Sequence, residues 1–363
     1  MARKHNFYAG PAVLPVSVIK KAQESLFEYG DSGIGVAEMS HRSKQFDGIV
    51  DGALASIKRL YNVSDDYGIV FVQGGASMVM AINALNFVTE GGKAQFVDTG
   101  TWARRAISEV ARSKAEAEVI WSGKDVAYGE LPELSDLTFD PKADFVHMTS
   151  NNTIAGTQFR DFPKTEAPLF VDMSSDFFSH PINMNQFGMI YGGIQKNLGP
   201  AGSALVIVRK DLLDRIPAGL SEMLDMSVYV KKGSMYNTPA AFTIYMTSLV
   251  LDWLENDIGG LENMDKINKE KAGILYDCFD QSGGFYRPTV KNPAHRSLMN
   301  VTFRLADEAL ESTLITDATA AGFIGLKGHR SVGGLRASIY NSCPTESVRE
   351  FVKYLNDFAA KNG

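Results

Sequence analysis

Cysteine is nearly missing from this chain: there are two, Cys278 and Cys343, among 363 residues. Two thiols build neither a disulfide framework nor a cysteine metal site, and no metal ligand set is expected. Long apolar runs are missing too. No stretch approaches the roughly 20 apolar residues of a membrane span. The opening Met1-Ala-Arg-Lys-His-Asn6 has no apolar signal core. A basic excess is also absent. Lys and Arg number 36 against 42 Asp and Glu, a formal charge of -6, which argues against a nucleic-acid partner. No internal repeat or low-complexity tract is present. The expectation is a soluble, cytoplasmic protein with reduced thiols and no membrane or nucleic-acid partner. Apolar residues at 45% and charged residues at 21% are ordinary globular proportions. The length fits one large domain plus a smaller one.

From about Ile69 to Val208, short apolar runs alternate with helix-like stretches. Gly68–Gln73, Ala94–Asp98, Ala117–Trp121, Asp144–Met148 and Leu169–Asp172 read as strands. Ala76 to about Phe87 and Thr101–Ser113 read as helices. Two further strands, Met189–Ile194 and Ser203–Val208, flank the turn-rich Gln195–Gly202. This alternation predicts an α/β fold with a largely parallel sheet covered by helices on both faces. A segment from about Pro239 to Glu255 has few breakers and predicts a long helix. The character changes after Gly259-Gly260. Lys266–Phe279 then reads as a helix, Ser297–Phe303 and Leu335–Tyr340 as strands, and Thr345–Lys361 as a closing helix. The chain is thus expected to divide into an extended segment 1–15, a large domain 16–255 and a smaller C-terminal α/β domain 256–363.

Three features carry chemistry. Gly74-Gly75-Ala76-Ser77 lies between a strand and a helix. Small residues there let backbone N–H groups approach a phosphate at the helix N-terminus, although Gly-Gly is also an ordinary tight turn. Asp172 ends an apolar strand, where ligands of doubly wound sheets bind. A carboxylate there suits a protonated ring nitrogen; it also suits a loop cap on the N–H groups of Ser174 or Ser175. Lys196 follows another apolar strand. Desolvation there lowers a lysine's pKa and makes its amine nucleophilic toward an aldehyde; most lysines are simply solvated. Pyridoxal phosphate needs all three: a phosphate cup, a carboxylate and a lysine. Trp102 offers a flat face for its ring, or a core aromatic at a helix start. Thr153 and Gln195 are candidates to bond its ring hydroxyl and phosphate.

The chain resembles the phosphoserine aminotransferases, a group within the class V, fold-type I enzymes that use pyridoxal phosphate. Matching segments run nearly end to end. They include Asn6-Phe-Tyr-Ala-Gly-Pro11, Met39-Ser-His-Arg42, Ser150-Asn-Asn-Thr153, Val171-Asp-Met-Ser-Ser175, Tyr236-Asn-Thr-Pro239 and Gly328-His-Arg330. Gln195-Lys196-Asn197-Leu-Gly-Pro-Ala-Gly202 is the most diagnostic. The resemblance implies that Lys196 forms the Schiff base and Asp172 holds the pyridinium nitrogen. It implies that Trp102 stacks on the ring, that Ala76, Ser77 and Gln195 cradle the phosphate, and that Thr153 sits near the ring hydroxyl. Asn237 and Thr238 are implied to reach the cofactor phosphate of a neighbouring subunit, in a homodimer with sites at the interface.

The same resemblance implies the substrates, L-glutamate and 3-phosphohydroxypyruvate, in a ping-pong exchange that serves L-serine and, by extension, pyridoxine biosynthesis. Arg336 matches the arginine that binds the α-carboxylate, a role suited to a planar fork. Ala9 matches a substrate-side backbone position. Three His-Arg-Ser triplets occur, at 41–43, 295–297 and 329–331. His41-Arg42 and His329-Arg330 match residues for the substrate phosphate or distal carboxylate, with Lys327 a contributor; His295-Arg296 reads as structural. Two departures stand out. Some family members carry an arginine directly after the glycine turn, where this chain has Ala76-Ser77, and Tyr8 replaces a small or polar residue. The rival readings are an alanine-glyoxylate-type transaminase, a cysteine desulfurase, for which neither Cys278 nor Cys343 is placed, and a non-enzymatic phospholigand binder.

Overall fold

The computed structural model describes residues 3–113 and 115–363. In chain order its first elements are β1 (His5–Asn6), α1 (Val16–Phe27), α2 (Lys44–Tyr61), β2 (Tyr67–Gln73), α3 (Ala76–Asn86), β3 (Lys93–Asp98), α4 (Thr101–Arg112) and β4 (Glu116–Ser122). Next come β5 (Phe145–Thr149), β6 (Leu169–Asp172), β7 (Met189–Gly193), β8 (Ser203–Arg209), α5 (Met226–Lys231) and α6 (Ala241–Asp252). The chain closes with α7 (Leu261–Asp280), β9 (Tyr286–Pro288), β10 (Asn300–Leu305), α8 (Glu311–Ala320), β11 (Phe323–Ile324), β12 (Leu335–Ser338) and α9 (Thr345–Asn362).

Seven strands form one sheet in the order β2-β8-β7-β6-β5-β3-β4. Strand β8 is antiparallel to both its neighbours, and the remaining pairings are parallel. The reversal follows from chain length. Only residues 194–202 separate β7 from β8. That is too short for a parallel crossover, which takes a dozen residues or more. Alternate residues of the central strands serve opposite faces. Val146, Met148, Leu169, Val171 and Ile190 pack with α2 and α6, whereas Phe145, Phe170, Met189 and Tyr191 pack with α3, α4 and α5. Burial on both faces is why these strands are continuous apolar runs.

A second core lies around a three-stranded sheet in the order β12-β10-β9, covered by α7 and α9. Phe7 is buried in this core, and β1 pairs in parallel with β11, so the N-terminal segment is part of it. Helix α7 serves both cores: Leu261 and Met264 pack into the first, Ala272 and Leu275 into the second.

Some bounds differ from the sequence expectation. Helix α7 starts at Leu261 rather than Lys266, because Gly260 at φ +97° leads directly into it. The α-helical part of the long helix ends at Asp252, and a π-helical turn, Trp253–Asp257, carries it on. Strand β10 begins at Asn300, since Ser297 turns its hydroxyl back to the N–H groups of Met299 and Asn300. Helices α1, α2 and α8 lie outside the stretches read as helix. Yet α2 buries Phe46, Ile49, Val50, Ala53 and Ile57 at helical spacing, and Ser43 caps it through the Phe46 N–H. No helix among the described residues is long and apolar enough to cross a membrane.

Candidate active site

The candidate residues gather beyond the carboxyl ends of β2, β3, β5, β6 and β7, which all run in one direction. Lys196 sits in the loop from β7 to β8. The Gln195 carbonyl accepts a hydrogen bond from the Ala12 N–H at 3.0 Å, which ties the N-terminal segment across this loop. Gly10 lies against the lysine stem: a Cβ there would stand 3.5 Å from Lys196 Cγ. Lys196 keeps a partial opening to solvent. The protein packed around it still pushes its pKa down to about 8; Asp172 opposes the shift and Arg336 adds to it.

Asp172 is buried at the end of β6. Its Oδ1 accepts from the Ser174 N–H at 2.9 Å and the Ser174 hydroxyl at 2.5 Å. Ser174 Oγ in turn accepts from the Gly193 N–H at 3.0 Å. Loop-capping and facing the lysine are therefore compatible here. Burial raises the Asp172 pKa, while Lys196 and the Ser174 bonds pull it back.

At the end of β2, Gly74 and Gly75 take φ of +90° and +72°, which favour glycine, and deliver the chain into α3. The Gly74 N–H is bound to the Gly202 carbonyl, and the Met78 N–H to that of Gly75. Among the described residues no acceptor meets the N–H groups of Ala76 and Ser77. Two open donors at a helix N-terminus form an anion cup.

Trp102 lies in the first turn of α4, and Gly100 allows it. At φ +136°, a Cβ on Gly100 would stand 2.7 Å from Asn152 Nδ2. Asn152 holds this corner through the Thr99 carbonyl. The Trp102 indole donates to Thr153 Oγ1 at 2.9 Å, and Lys196 Nζ lies 5.4 Å from the Trp102 ring centre. From β12, Arg336 donates from a terminal nitrogen to the Thr153 carbonyl at 2.6 Å. Its Nε is buried without a partner. A buried guanidinium donor left open is costly unless a ligand acceptor meets it. Arg336 lines a cavity of about 320 Å³ with Ile154, Ala155, Thr302, Gly328 and Val332.

The family profile "Aminotransferase class-V" matches residues 4–351. The chain is 48% identical over 362 residues to the phosphoserine aminotransferase of Desulfosudis oleivorans, covering 99% of both chains. It is 47% identical over 358 residues to that of Geobacillus kaustophilus, again covering 99% of both. The chain belongs to the class V aminotransferases, on their phosphoserine aminotransferase branch. Solved structures agree. The phosphoserine aminotransferase of Bacillus circulans subsp. alkalophilus superposes with a TM-score of 0.97 at 45% identity, covering 99% of each chain. A pyridoxal phosphate-bound phosphoserine aminotransferase from Trichomonas vaginalis superposes with a TM-score of 0.92 at 34% identity, covering 98% of this chain and all of that one.

The pyridoxal phosphate that class V enzymes use fits the residues present in this aminotransferase. The open Ala76 and Ser77 N–H groups suit its phosphate, the buried Asp172 its ring nitrogen and the depressed Lys196 amine its aldehyde. Gln195 and Thr153 border the same space, Gln195 next to the lysine and Thr153 between Trp102 and Arg336.

Other expected residues of this aminotransferase have surroundings of their own. His41 lines an open cavity of about 430 Å³ with Met39, Thr238, Pro239 and Phe242. Arg42 is exposed, its Nε 3.4 Å from His41 Nε2. Asn237 Oδ1 and the Thr238 carbonyl both accept from Gln73 Nε2 at 3.0 Å. Among the described residues no hydrogen bond or ion pair joins His41 or Arg42 to Lys196, Arg336 or His329. His329 and Arg330 lie in the loop before β12, where His329 Nδ1 bonds Ser331 Oγ at 2.7 Å. Burial and the charges of Arg336 and Arg330 lower the His329 pKa. Lys327 bridges to Leu335 at the base of this loop. The Ala9 carbonyl accepts from the Tyr340 hydroxyl at 2.7 Å. Tyr8 is half-exposed over Gly325.

His295-Arg296 belongs elsewhere: Arg296 pairs with Asp280 at 3.2 Å and lies over Tyr276. Both cysteines are buried, with thiol pKa values pushed up to about 11. Sequence reasoning passed over three residues that support the site. Asn197 donates to the Ser175 carbonyl and accepts from the Asn341 N–H. Asp176 is buried against Ser150 and Gln158, its pKa raised to about 7 by burial. Arg105 reaches from α4 to Ser77. For Asp176 the cue was present, a second carboxylate four residues after Asp172.

Proposed function

We propose that this aminotransferase moves the amino group of L-glutamate to 3-phosphohydroxypyruvate, giving O-phospho-L-serine and 2-oxoglutarate, with pyridoxal phosphate as cofactor. The observation that carries the reading is Lys196. Its amine is depressed to about 8 between the buried carboxylate of Asp172 and the open guanidinium of Arg336.

When bound, the cofactor supplies the electron sink for the pair left at substrate Cα. The chain's own residues do the rest. Asp172, oriented by Ser174, would set its carboxylate against the ring nitrogen. Arg336, fixed by Thr153, donates from its free Nε to the α-carboxylate and orients the Cα–H bond. The Lys196 amine would take the proton from Cα and return it to the cofactor carbon beyond the amino nitrogen, and a pKa of about 8 suits both directions. Trp102 covers one side of the reacting space.

The remaining cations read the distal end of the substrate. His329 and Arg330 face it from the loop beside Arg336. His41 and Arg42 enter from a second copy of the chain, as Asn237 and Thr238 do toward the cofactor phosphate. His41 shares its cavity with Thr238 and not with Lys196, and Arg42 bonds His41, which supports a homodimer with shared sites. A cytoplasmic location and a domain boundary at 256 complete the reading.

The test is glutamate-dependent transamination of 3-phosphohydroxypyruvate, with hydroxypyruvate and glyoxylate in parallel. The phosphorylated acceptor is expected to give the highest kcat/KM. A preference for glyoxylate would move the chain to the alanine-glyoxylate type.

A further inference from the structure

Three positive features converge beside Trp102, and among the described residues no ion pair answers two of them. The N-terminus of α3 carries partial positive charge and two open N–H groups, and its first turn has no acidic residue. Arg105, one helical turn after Trp102, donates to Ser77 Oγ at 2.7 Å. Its guanidinium carbon lies 5.3 Å from the Trp102 ring centre, and Lys196 Nζ lies 5.4 Å from the same ring. Among the described residues Arg105 makes no ion pair, and the first turn of α4 has no acidic residue either. A cation set beside the positive end of a helix is repelled by it, a disfavoured arrangement unless an anion binds between them.

The guanidinium has five N–H donors in a fixed fork, and the bond to Ser77 uses one. Ser77 and the Trp102 ring fix where the others lie, which reduces the side-chain entropy lost on binding. We propose that Arg105 is a phosphate-binding residue of this site. It brings to the Ala76–Ser77 cup, from α4, the guanidinium that this chain lacks at positions 76 and 77. The ligand is a phosphomonoester dianion, supplied by the cofactor or by the substrate. The inference rests on the proposed cofactor and substrate.

The experiment compares Arg105→Gln, Arg105→Lys and, as a control, Arg104→Gln, since Arg104 is the neighbouring arginine and lies over Tyr128 instead. Apoenzyme is titrated with pyridoxal phosphate and with pyridoxal. The reconstituted enzyme is assayed with 3-phosphohydroxypyruvate and with hydroxypyruvate. Arg105→Gln is expected to weaken one phosphorylated ligand about tenfold or more and to spare its unphosphorylated counterpart; a charge-assisted bond has that strength. Arg105→Lys should recover part of the loss, and Arg104→Gln should match the parent. The ligand that weakens identifies the source of the phosphate. Unchanged constants for both phosphorylated ligands overturn the inference, and so do equal losses with and without the phosphate. Failure of the parent protein to trap pyridoxal phosphate on Lys196 under borohydride instead overturns the cofactor reading. Thermal melts of each variant show that the fold is intact.

Discussion

Arg336 holds the Thr153 carbonyl with one terminal nitrogen at 2.6 Å and leaves its buried Nε with no partner. Thr153 also takes the Trp102 indole bond, so a single residue sets both the ring wall and the guanidinium. Truncating Arg336 removes the open donor and unpins Thr153. Arg336→Ala is expected to lower kcat/KM by about a hundredfold, near 3 kcal/mol. Because both substrates carry an α-carboxylate, the loss should be similar for L-glutamate and the phosphorylated keto acid. Steady-state kinetics of the two half-reactions check this; a loss confined to one substrate would contradict it.

Lys196 is expected to be indispensable. Lys196→Ala should lower turnover at least about a thousandfold, on the scale of a lost acid–base group combined with lost attachment. Burial lowers its pKa, and Asp172 resists that shift. In cofactor-free protein, reductive methylation of Lys196 should therefore rise with pH around a midpoint near 8. Removing the Asp172 charge takes away the opposing influence, so Asp172→Asn should move the midpoint lower. Mass spectrometry of the Lys196 peptide across pH reports both values. An upward move in the variant would show that Asp172 does not act electrostatically on the lysine.

The His-Arg pairs predict a selectivity pattern. Arg42→Ala and Arg330→Ala should each cost the phosphorylated keto acid about tenfold or more in kcat/KM, the strength of one charge-assisted contact. Hydroxypyruvate should lose little. Among the described residues Arg42 makes no hydrogen bond with Lys196 in its own chain. Mixing weakened Arg42→Ala and inactive Lys196→Ala subunits should accordingly restore one intact site per mixed dimer. Activity that stays at the level of the separate variants would place Arg42 in the site of its own chain.

Lys271 fixes α7 to the segment that follows β12. It is wholly buried, among the described residues it has no carboxylate partner, and its ammonium donates to the carbonyls of Ile339, Tyr340, Asn341 and Cys343 at 2.7–3.3 Å. Lys271→Met would strand those acceptors at a cost of about 3–5 kcal/mol. Chemical denaturation at fixed pH should show a midpoint shift of that size. A neutral result would mean that water replaces the ammonium.

The sheet was legible because its strands are apolar runs punctuated by glycine and acid, and Asp172 and Lys196 stand at those punctuation points. The reversal of β8 was implicit in the short spacing between two runs. Helix α2 had its signal in the spacing from Phe46 to Ile57, but no strand alternation flanked it to draw the reading there. Asp172, Lys196 and the Gly74-Gly75 turn declared themselves by local pattern. His41, Arg42, Asn237 and Thr238 did so only by resemblance, since nothing near them in sequence marks a shared site. Arg105 left no pattern at all, because its partner Ser77 lies 28 residues away on another helix.

Helix α7 gives its first turns to one core and its later turns to the other, and it carries Lys271. Neither core keeps its full complement of side chains if the chain is cut there. Heating should therefore dismantle both in a single cooperative transition. An engineer exchanging the C-terminal portion with a relative would have to take the whole helix and accept its first turns as a new seam.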